Sequence, residues 1–304
     1  MYSFQLRILG SNSALPTSTK FSTAHILNIC ERFFLIDCGE GTQIQIRKFK
    51  IKFNKINHIF ISHLHGDHYF GLFGLISTFN LIGRKNDLNI HCNKDLENII
   101  NFLFKNYAED LSFKINFHHL KYDKSYLIFE DDKLTIHSFP LKHRIQTCGF
   151  LFSEKQKDKK FKKELIDYYN IQIKDIVKIK QGADLILEHG KIIPNSELTY
   201  PPEKARSFAF CSDTAYTEEI VEYISNVDLL YHEATFKHDL KEMAKKTFHS
   251  TNVQAATIAK KANAKKLLIG HFSSRYKDTS EIIEEAREVF PNTFITNDGD
   301  VFEP

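Results

Sequence analysis

Three imidazoles and a carboxylate fall within six residues, His63, Leu64, His65, Gly66, Asp67 and His68, directly after the apolar run IFIS at 59–62. Histidine is the commonest metal-binding side chain. Side chains alternate along an extended segment, so His63 and His65 point the same way while Leu64 turns into the core. Gly66 lets the chain bend, and Asp67 and His68 then face the same point from the other side. A tetrahedral zinc that keeps a position open for water takes only three protein ligands. The spacing therefore predicts two metals. Fifteen histidines in 304 residues allow a chance histidine-rich loop, but the strand before the cluster and the apolar GLFGLI after it argue for a built site.

The elements that must hold such a site are short apolar strands followed by loops and helices. Strands are predicted at 4–10, 24–30, 32–38, 58–62, 88–92, 134–139, 206–212, 227–234, 265–272 and 292–298. Helices are predicted at 71–82, 94–107, 217–225, 252–262 and 280–290, with Thr217, Thr251 and Ser280 as N-caps of the last three. Strands dominate the first half, and strand–helix alternation the second. That pattern predicts an α/β fold with two sheets packed face to face and helices outside. His143, Asp213 and His271 each follow an apolar strand, where loops hold functional groups on a rigid scaffold. Between about 152 and 200 the pattern fails: the segment is polar and lysine-rich, with a short helix at 162–170 and a turn at 188–191. It reads as an inserted basic arm on a single domain spanning 1–304.

Composition narrows the class. With 42% hydrophobic and 26% charged residues the chain reads as globular, and no apolar run approaches the ~20 residues that span a bilayer. Arg7 interrupts the N-terminal apolar stretch, so no signal peptide is expected. The five cysteines, Cys30, Cys38, Cys92, Cys148 and Cys211, are scattered and never form CxxC. They predict neither a disulfide framework nor a zinc knuckle, and the expected compartment is the cytoplasm. A net charge of +3 does not by itself imply nucleic acid. The basic stretches at 47–55, 155–163 and 260–266 are concentrated enough to follow a phosphate backbone, although a solvated lysine-rich face explains each one singly.

The motif ISHLHGDH resembles the signature of the metallo-β-lactamase superfamily. FLIDCGEGTQ (34–43), SDT (212–214), HEATF (232–236), HST (249–251) and HFSSRY (271–276) resemble ribonuclease Z, as does the opening LGSNSALPT (9–17). The matches run from residue 9 to 276. The resemblance implies a four-layer αββα sandwich and two Zn²⁺ per subunit, with Mn²⁺ or Fe²⁺ compatible with nitrogen and oxygen ligands. It implies that His63, His65 and His143 hold one ion, that Asp67, His68 and His271 hold the other, and that Asp213 bridges them.

The implied activity is endonucleolytic removal of 3′ trailers from precursor tRNA, leaving a 3′-hydroxyl on the tRNA and a 5′-phosphate on the trailer, by a homodimer. Asp67 is also the implied general base. His249 is the expected general acid, since imidazole exchanges protons near neutrality, and Glu233 would orient it. Asp37 is expected to fix the tautomer of a ligand histidine. Ser11 and Ser13 are expected to line the site. Arg275 and the arm lysines Lys159, Lys160, Lys162 and Lys163 are the candidate contacts to substrate phosphates. One departure stands out: the family's arm carries a Gly-Pro-rich tip, whereas this segment has only Gly182, Gly190 and Pro194 and no Gly-Pro dipeptide. Two other readings stand beside this one, and the altered arm favours the first. One is a related phosphodiesterase or 3′-exoribonuclease acting on other RNA or small esters. The other, a metal-free nucleic-acid-binding relative, would require lost ligands.

Overall fold

In the computed structural model, which describes residues 3–15, 17–107 and 111–304, successive side chains of each central strand divide between two cores. Pro16, in the opening loop, lies outside the described residues. The elements are β1 (Phe4–Gly10), β2 (Ala24–Ile29), β3 (Arg32–Ile36), α1 (Thr42–Lys48), β4 (Ile56–Phe60), α2 (Gly66–Leu81), β5 (Leu88–Cys92), α3 (Lys94–Tyr107), β6 (Ile115–His119), β7 (Tyr126–Glu130), β8 (Leu134–Leu141) and β9 (Thr147–Glu154). The arm contributes β10 (Lys160–Phe161), α4 (Leu165–Tyr169), α5 (Ile173–Lys180), β11 (Leu185–Ile186), β12 (Ile192–Ile193), α6 (Asn195–Leu198) and β13 (Thr199–Tyr200). The body resumes with β14 (Ser207–Cys211), β15 (Leu229–Glu233), α7 (Lys241–Thr247), α8 (Asn252–Lys261), β16 (Lys266–Gly270), α9 (Ser280–Val289), β17 (Thr293–Ile295) and β18 (Val301–Phe302).

Two seven-stranded sheets form, in the orders β18-β1-β2-β3-β4-β5-β6 and β17-β16-β15-β14-β9-β8-β7. Phe34, Ile36 and Phe60 from the first meet Phe150, Phe152, Phe208, Phe210 and Tyr231 from the second in the central layer. Their neighbours Leu35, Ile59 and Ile61 turn outward onto Leu72, Leu75, Ile76 and Phe79 of α2. Ala209, Leu230, Leu267 and Ile269 turn outward onto α8 and α9. This is the expected αββα sandwich. Within it β3 to β6 run parallel, as do β14 to β17, so the carboxyl ends of both parallel runs offer loops for a site.

Several boundaries differ from expectation. Helix α2 starts at Gly66, inside the histidine cluster, not at 71. Close packing explains this: a Cβ on Gly71 would lie 2.0 Å from the Gly39 carbonyl oxygen, and the Gly71 N–H donates to Cys38 O at 2.9 Å. The chain at 217–225 forms only a 3-10 turn at Glu218–Glu222, although Thr217 does cap it. Thr251 forms a full capping box with Gln254. Ser280 is the first residue of α9, not its cap, and its hydroxyl donates to Asp278. Strands β6, β7 and β9 lie outside the expected set; β6 and β7 are partly exposed, and β9 carries Gly149, where a Cβ would sit 2.5 Å from the Phe139 ring. The arm is more organised than expected. Phe161, Ile171, Ile179, Leu185, Ile193 and Leu198 form a small core of their own, closed at the neck by β10 pairing with β13.

Candidate binuclear metal centre

Seven side chains from four strand ends converge between the sheets. His63, His65, Asp67 and His68 follow β4, His143 follows β8, Asp213 follows β14 and His271 follows β16. Asp37, Asp213 and His271 each leave their strand at positive φ, 55°, 54° and 60°. Few non-glycine residues tolerate that region, and it concentrates at functional sites. Asp67 lies in the first turn of α2, where the helix N-terminus favours a carboxylate. Leu64 is only partly buried, packed on the outer-face core around α2.

The donors form two groups around one carboxylate. His63 Nε2 and His143 Nε2 lie 3.0 and 3.2 Å from His65 Nδ1. They lie 3.5 and 3.7 Å from Asp213 Oδ2. On the other side, His68 Nε2 and His271 Nε2 stand 3.3 and 3.2 Å from Asp213 Oδ1. The same two nitrogens lie 3.3 and 3.4 Å from Asp67 Oδ2.

What stands behind each imidazole decides which nitrogen is bare. His143 Nδ1 donates to the Phe248 carbonyl at 2.8 Å, so its Nε2 carries a lone pair. His68 Nδ1 donates to Asp37 Oδ2 at 2.7 Å, and Asp37 is itself held by the Ser62 N–H and hydroxyl. Thr235 donates its hydroxyl proton to Glu233 at 2.7 Å and so accepts from His271 Nδ1 at 2.9 Å. The bare Nε2 atoms of His68 and His271 therefore face two carboxylates. Lone pairs against carboxylate oxygens in a buried site repel unless a cation lies between them. His68 Nε2 is fully enclosed and has no hydrogen-bond partner among the described residues. This arrangement fits divalent metal.

The electrostatics agree. Burial, with neighbouring imidazoles, lowers His65 and His143 to about 4 and also lowers His63, so all three are neutral donors near pH 7. Burial would lower His68 as well, but Asp67, Asp213 and Asp37 outweigh it and raise it well above the ordinary value, so the three carboxylates call for positive charge at its Nε2, either a proton or a metal ion in its place. Burial opposes ionisation of Asp67 and Asp213, yet the surrounding imidazoles hold both carboxyls below the usual range.

Beside this cluster, His249 Nδ1 lies 2.8 Å from Glu233 Oε1. Burial lowers the imidazole, but Glu233 outweighs it and pushes His249 up to about 9. A ring nitrogen of His249 is within 4.8 Å of donor atoms on Asp213 and His271. Glu233 also accepts from the Thr214 and Thr235 N–H groups. Arg275 is exposed, with its guanidinium 5.1 Å from the Phe236 ring centre. Ser11 serves differently from expectation: its carbonyl accepts the His271 N–H, and its hydroxyl donates to Asp298. Ser13 is likewise buried, its N–H bonded to the Phe272 carbonyl.

Asp298 was missed, although it follows β17 in the same strand-end context as the ligand candidates. Its carboxylate accepts from the Ser11 and Phe21 N–H groups and ties the opening loop to the site. The arm lysines are not brought to the cluster. Lys159 donates to Asn195, Lys160 pairs with Glu203, and Lys162 donates to the Glu197 carbonyl, while Lys163 is exposed. All lie beyond Glu154, at the other end of β9 from Thr147.

Fold and site together define a metallo-β-lactamase-fold protein. Residues 4–178 match the family model described as Anti-Pycsar protein Apyc1, and residues 198–272 match the Beta-lactamase superfamily domain. Among full-length relatives, ribonuclease Z of Phocaeicola vulgatus is 50% identical over 298 residues, covering 98% of this chain and 96% of that protein. Ribonuclease Z of Bacteroides thetaiotaomicron is 47% identical over 98% of this chain and 95% of its own. Among solved structures, human tRNase Z, short form, superposes with a TM-score of 0.71 at 26% identity, covering 98% of each chain. The metallo-beta-lactamase fold protein YhfI from Bacillus subtilis gives 0.69 at 17% identity, over 99% of this chain and 100% of its own, which is likeness of fold. The chain belongs to the ribonuclease Z family.

Proposed function

We propose that this protein is a two-zinc endoribonuclease that removes 3′ trailers from precursor tRNA, leaving a 3′-hydroxyl on the tRNA and a 5′-phosphate on the trailer. The observation that carries this reading is a near-full-length relationship to ribonuclease Z in a chain whose seven donors converge on one point. His63, His65 and His143 would hold one ion, Asp67, His68 and His271 the other, and Asp213 both. Two such ions supply charge for an in-line displacement at phosphorus and make water acidic near neutrality.

The chain's own groups do the rest. Asp67, kept ionised, accepts a proton of the attacking water. His249, kept protonated by Glu233, donates to the leaving 3′ oxygen. Arg275, whose guanidinium lies over the Phe236 ring beside that histidine, would bind a phosphate near the cleaved bond. Lys159, Lys160, Lys162 and Lys163 offer the backbone of the tRNA a basic surface on the arm. The cytoplasm, and a homodimer in which one subunit's arm serves the other's site, belong to the same reading by family resemblance. No helix among the described residues is long and apolar enough to cross a membrane.

The test is a gel assay on precursor tRNA beside hydrolysis of bis-p-nitrophenyl phosphate, with metal content measured on the same protein. Trailer removal with two zinc ions per chain is expected. Turnover of the small ester without cleavage of precursor tRNA would replace this reading with that of a small-phosphodiester hydrolase. His249→Ala is expected to lower kcat by about 10²–10⁴ while retaining metal and KM; unchanged kcat would remove it from the proton transfer.

A further inference from the structure

On the flank of the metal centre, a cleft of about 620 Å³ opens against His143 and serves none of the roles above. Its walls are the loops that follow β5, β6 and β8, so it lies at the same end of the sandwich as the cluster. A cleft of that size falls in the range that holds a small ligand or a short segment of one.

The lining has three kinds of chemistry. Lys94 and Lys121 are exposed and neither forms an ion pair with a carboxylate among the described residues, and Lys121 Nζ stands 5.1 Å from the Tyr126 ring centre at the cleft edge. Asp123, the acid on the wall, accepts from the Tyr126 hydroxyl and interacts with Lys121 only through space. Asn93 donates to Gln146 at 3.2 Å, leaving amide donors and acceptors on the rim. Ile145, 38% exposed, offers apolar surface beside them. Exposed lysines without an ion pair, amides and an apolar face suit phosphates, base edges and a base plane in turn. The larger lysine-lined cavity at the arm neck is different, because its Lys155, Lys157 and Lys160 are paired with Glu130, Glu154 and Glu203.

Direction follows from the proton donor, and so this step rests on the function proposed above. The oxygen that leaves belongs to the tRNA 3′ end and must lie at His249. That histidine is not on the cleft wall. The strand that keeps the phosphate is the trailer, and it must run off elsewhere. We infer that the cleft beside His143 binds the first nucleotides of the 3′ trailer as single-stranded RNA, with Lys94 and Lys121 on its phosphates.

The test compares two precursor tRNAs of identical body, one with a trailer of about six nucleotides and one with a single nucleotide. In the Lys94→Ala/Lys121→Ala double variant, KM for the long trailer should rise about fivefold to tenfold with kcat within twofold, and its log–log salt slope should fall by about one to two. The single-nucleotide trailer, which carries no further phosphodiester, should change by less than twofold. Circular dichroism checks that the variant is folded. An equal rise on both substrates would place the tRNA body in the cleft and overturn the inference, as would no rise on either. Wild-type protein that cuts neither precursor would overturn the underlying function and this inference with it. Wild-type that cuts both, with a variant that does not discriminate, overturns the trailer cleft alone.

Discussion

The two ends of the sandwich are built on opposite plans. At the metal end, His63, His68, Asp213, His271 and Glu233 are at most 2% exposed, and four of the five ligand imidazoles have a named partner on the second nitrogen. At the arm end, charges pair near the surface and the segment relies on a small core of its own. Tyr168, Ile173, Val177, Ile186 and Ile192 remain exposed there. A buried polar network is costly unless every member is satisfied, and once satisfied it fixes one geometry. Exposed ion pairs contribute little and fix little. The chemistry is thus held rigidly, and the arm is held loosely.

The sharpest way to break the contrast is to remove its central carboxylate. Asp213→Ala leaves His63, His143, His68 and His271 without their shared partner. Metal content should fall towards zero, and kcat by more than the roughly 100-fold typical of losing an outer partner. Retention of two metals would show that the two groups are independent. Asp37→Asn is milder. Asparagine tolerates the positive φ at this position and still accepts from Ser62, but it loses the charge facing His68. Metal affinity should fall about 10- to 100-fold by competitive chelation. An unchanged affinity would reduce Asp37 to a loop support.

Legibility in the sequence follows the same divide. The ligands could be read because histidine and aspartate are unusual after apolar strands, and four strand ends repeat the context. Their buttresses could not. Thr235, the Phe248 carbonyl and Ser62 act through a hydroxyl or the backbone, which no spacing distinguishes from ordinary turn chemistry. The positive φ of Asp37, Asp213 and His271 is a tertiary outcome. In the body, the apolar runs of β1 to β5, β8 and β14 to β17 and the periodicity of α8 were legible, whereas the partly exposed β6 and β7 and the glycine-interrupted β9 were not. In the arm, strands of two residues and helices of four to eight are too short for periodicity to register. Its core, assembled from Phe161 to Leu198, shows only in three dimensions.

The arm's independence can be measured through that core. Ile179 is 1% exposed within it, and truncation of a buried isoleucine to alanine costs about 2–5 kcal/mol. If the arm is its own cooperative unit, Ile179→Ala should raise hydrogen exchange across 155–205 while leaving β4, β14 and small-ester turnover unchanged. Exchange that rises equally throughout the body would mean that arm and sandwich unfold together.

The smallest effect should come at the neck, where the two plans meet. Glu154 ends β9, and both its carboxylate oxygens accept from the Arg206 guanidinium, at 3.0 and 2.8 Å. Burial raises the carboxyl, but these bonds and Lys157 outweigh it and hold it below the ordinary glutamate value. A folded pKa below the unfolded one contributes stability that is full above about pH 4.3 and is lost as pH falls through the folded value. The arm should therefore loosen under acid, with proteolysis at 155–205 rising below about pH 4. Glu154→Gln should bring that loosening to neutral pH and flatten its acid dependence. The metal end also loosens in acid, as its carboxylates and imidazoles gain protons, but Glu154→Gln leaves that transition untouched. A variant that shifted metal loss as well as arm proteolysis would show the neck and the metal centre to be one network.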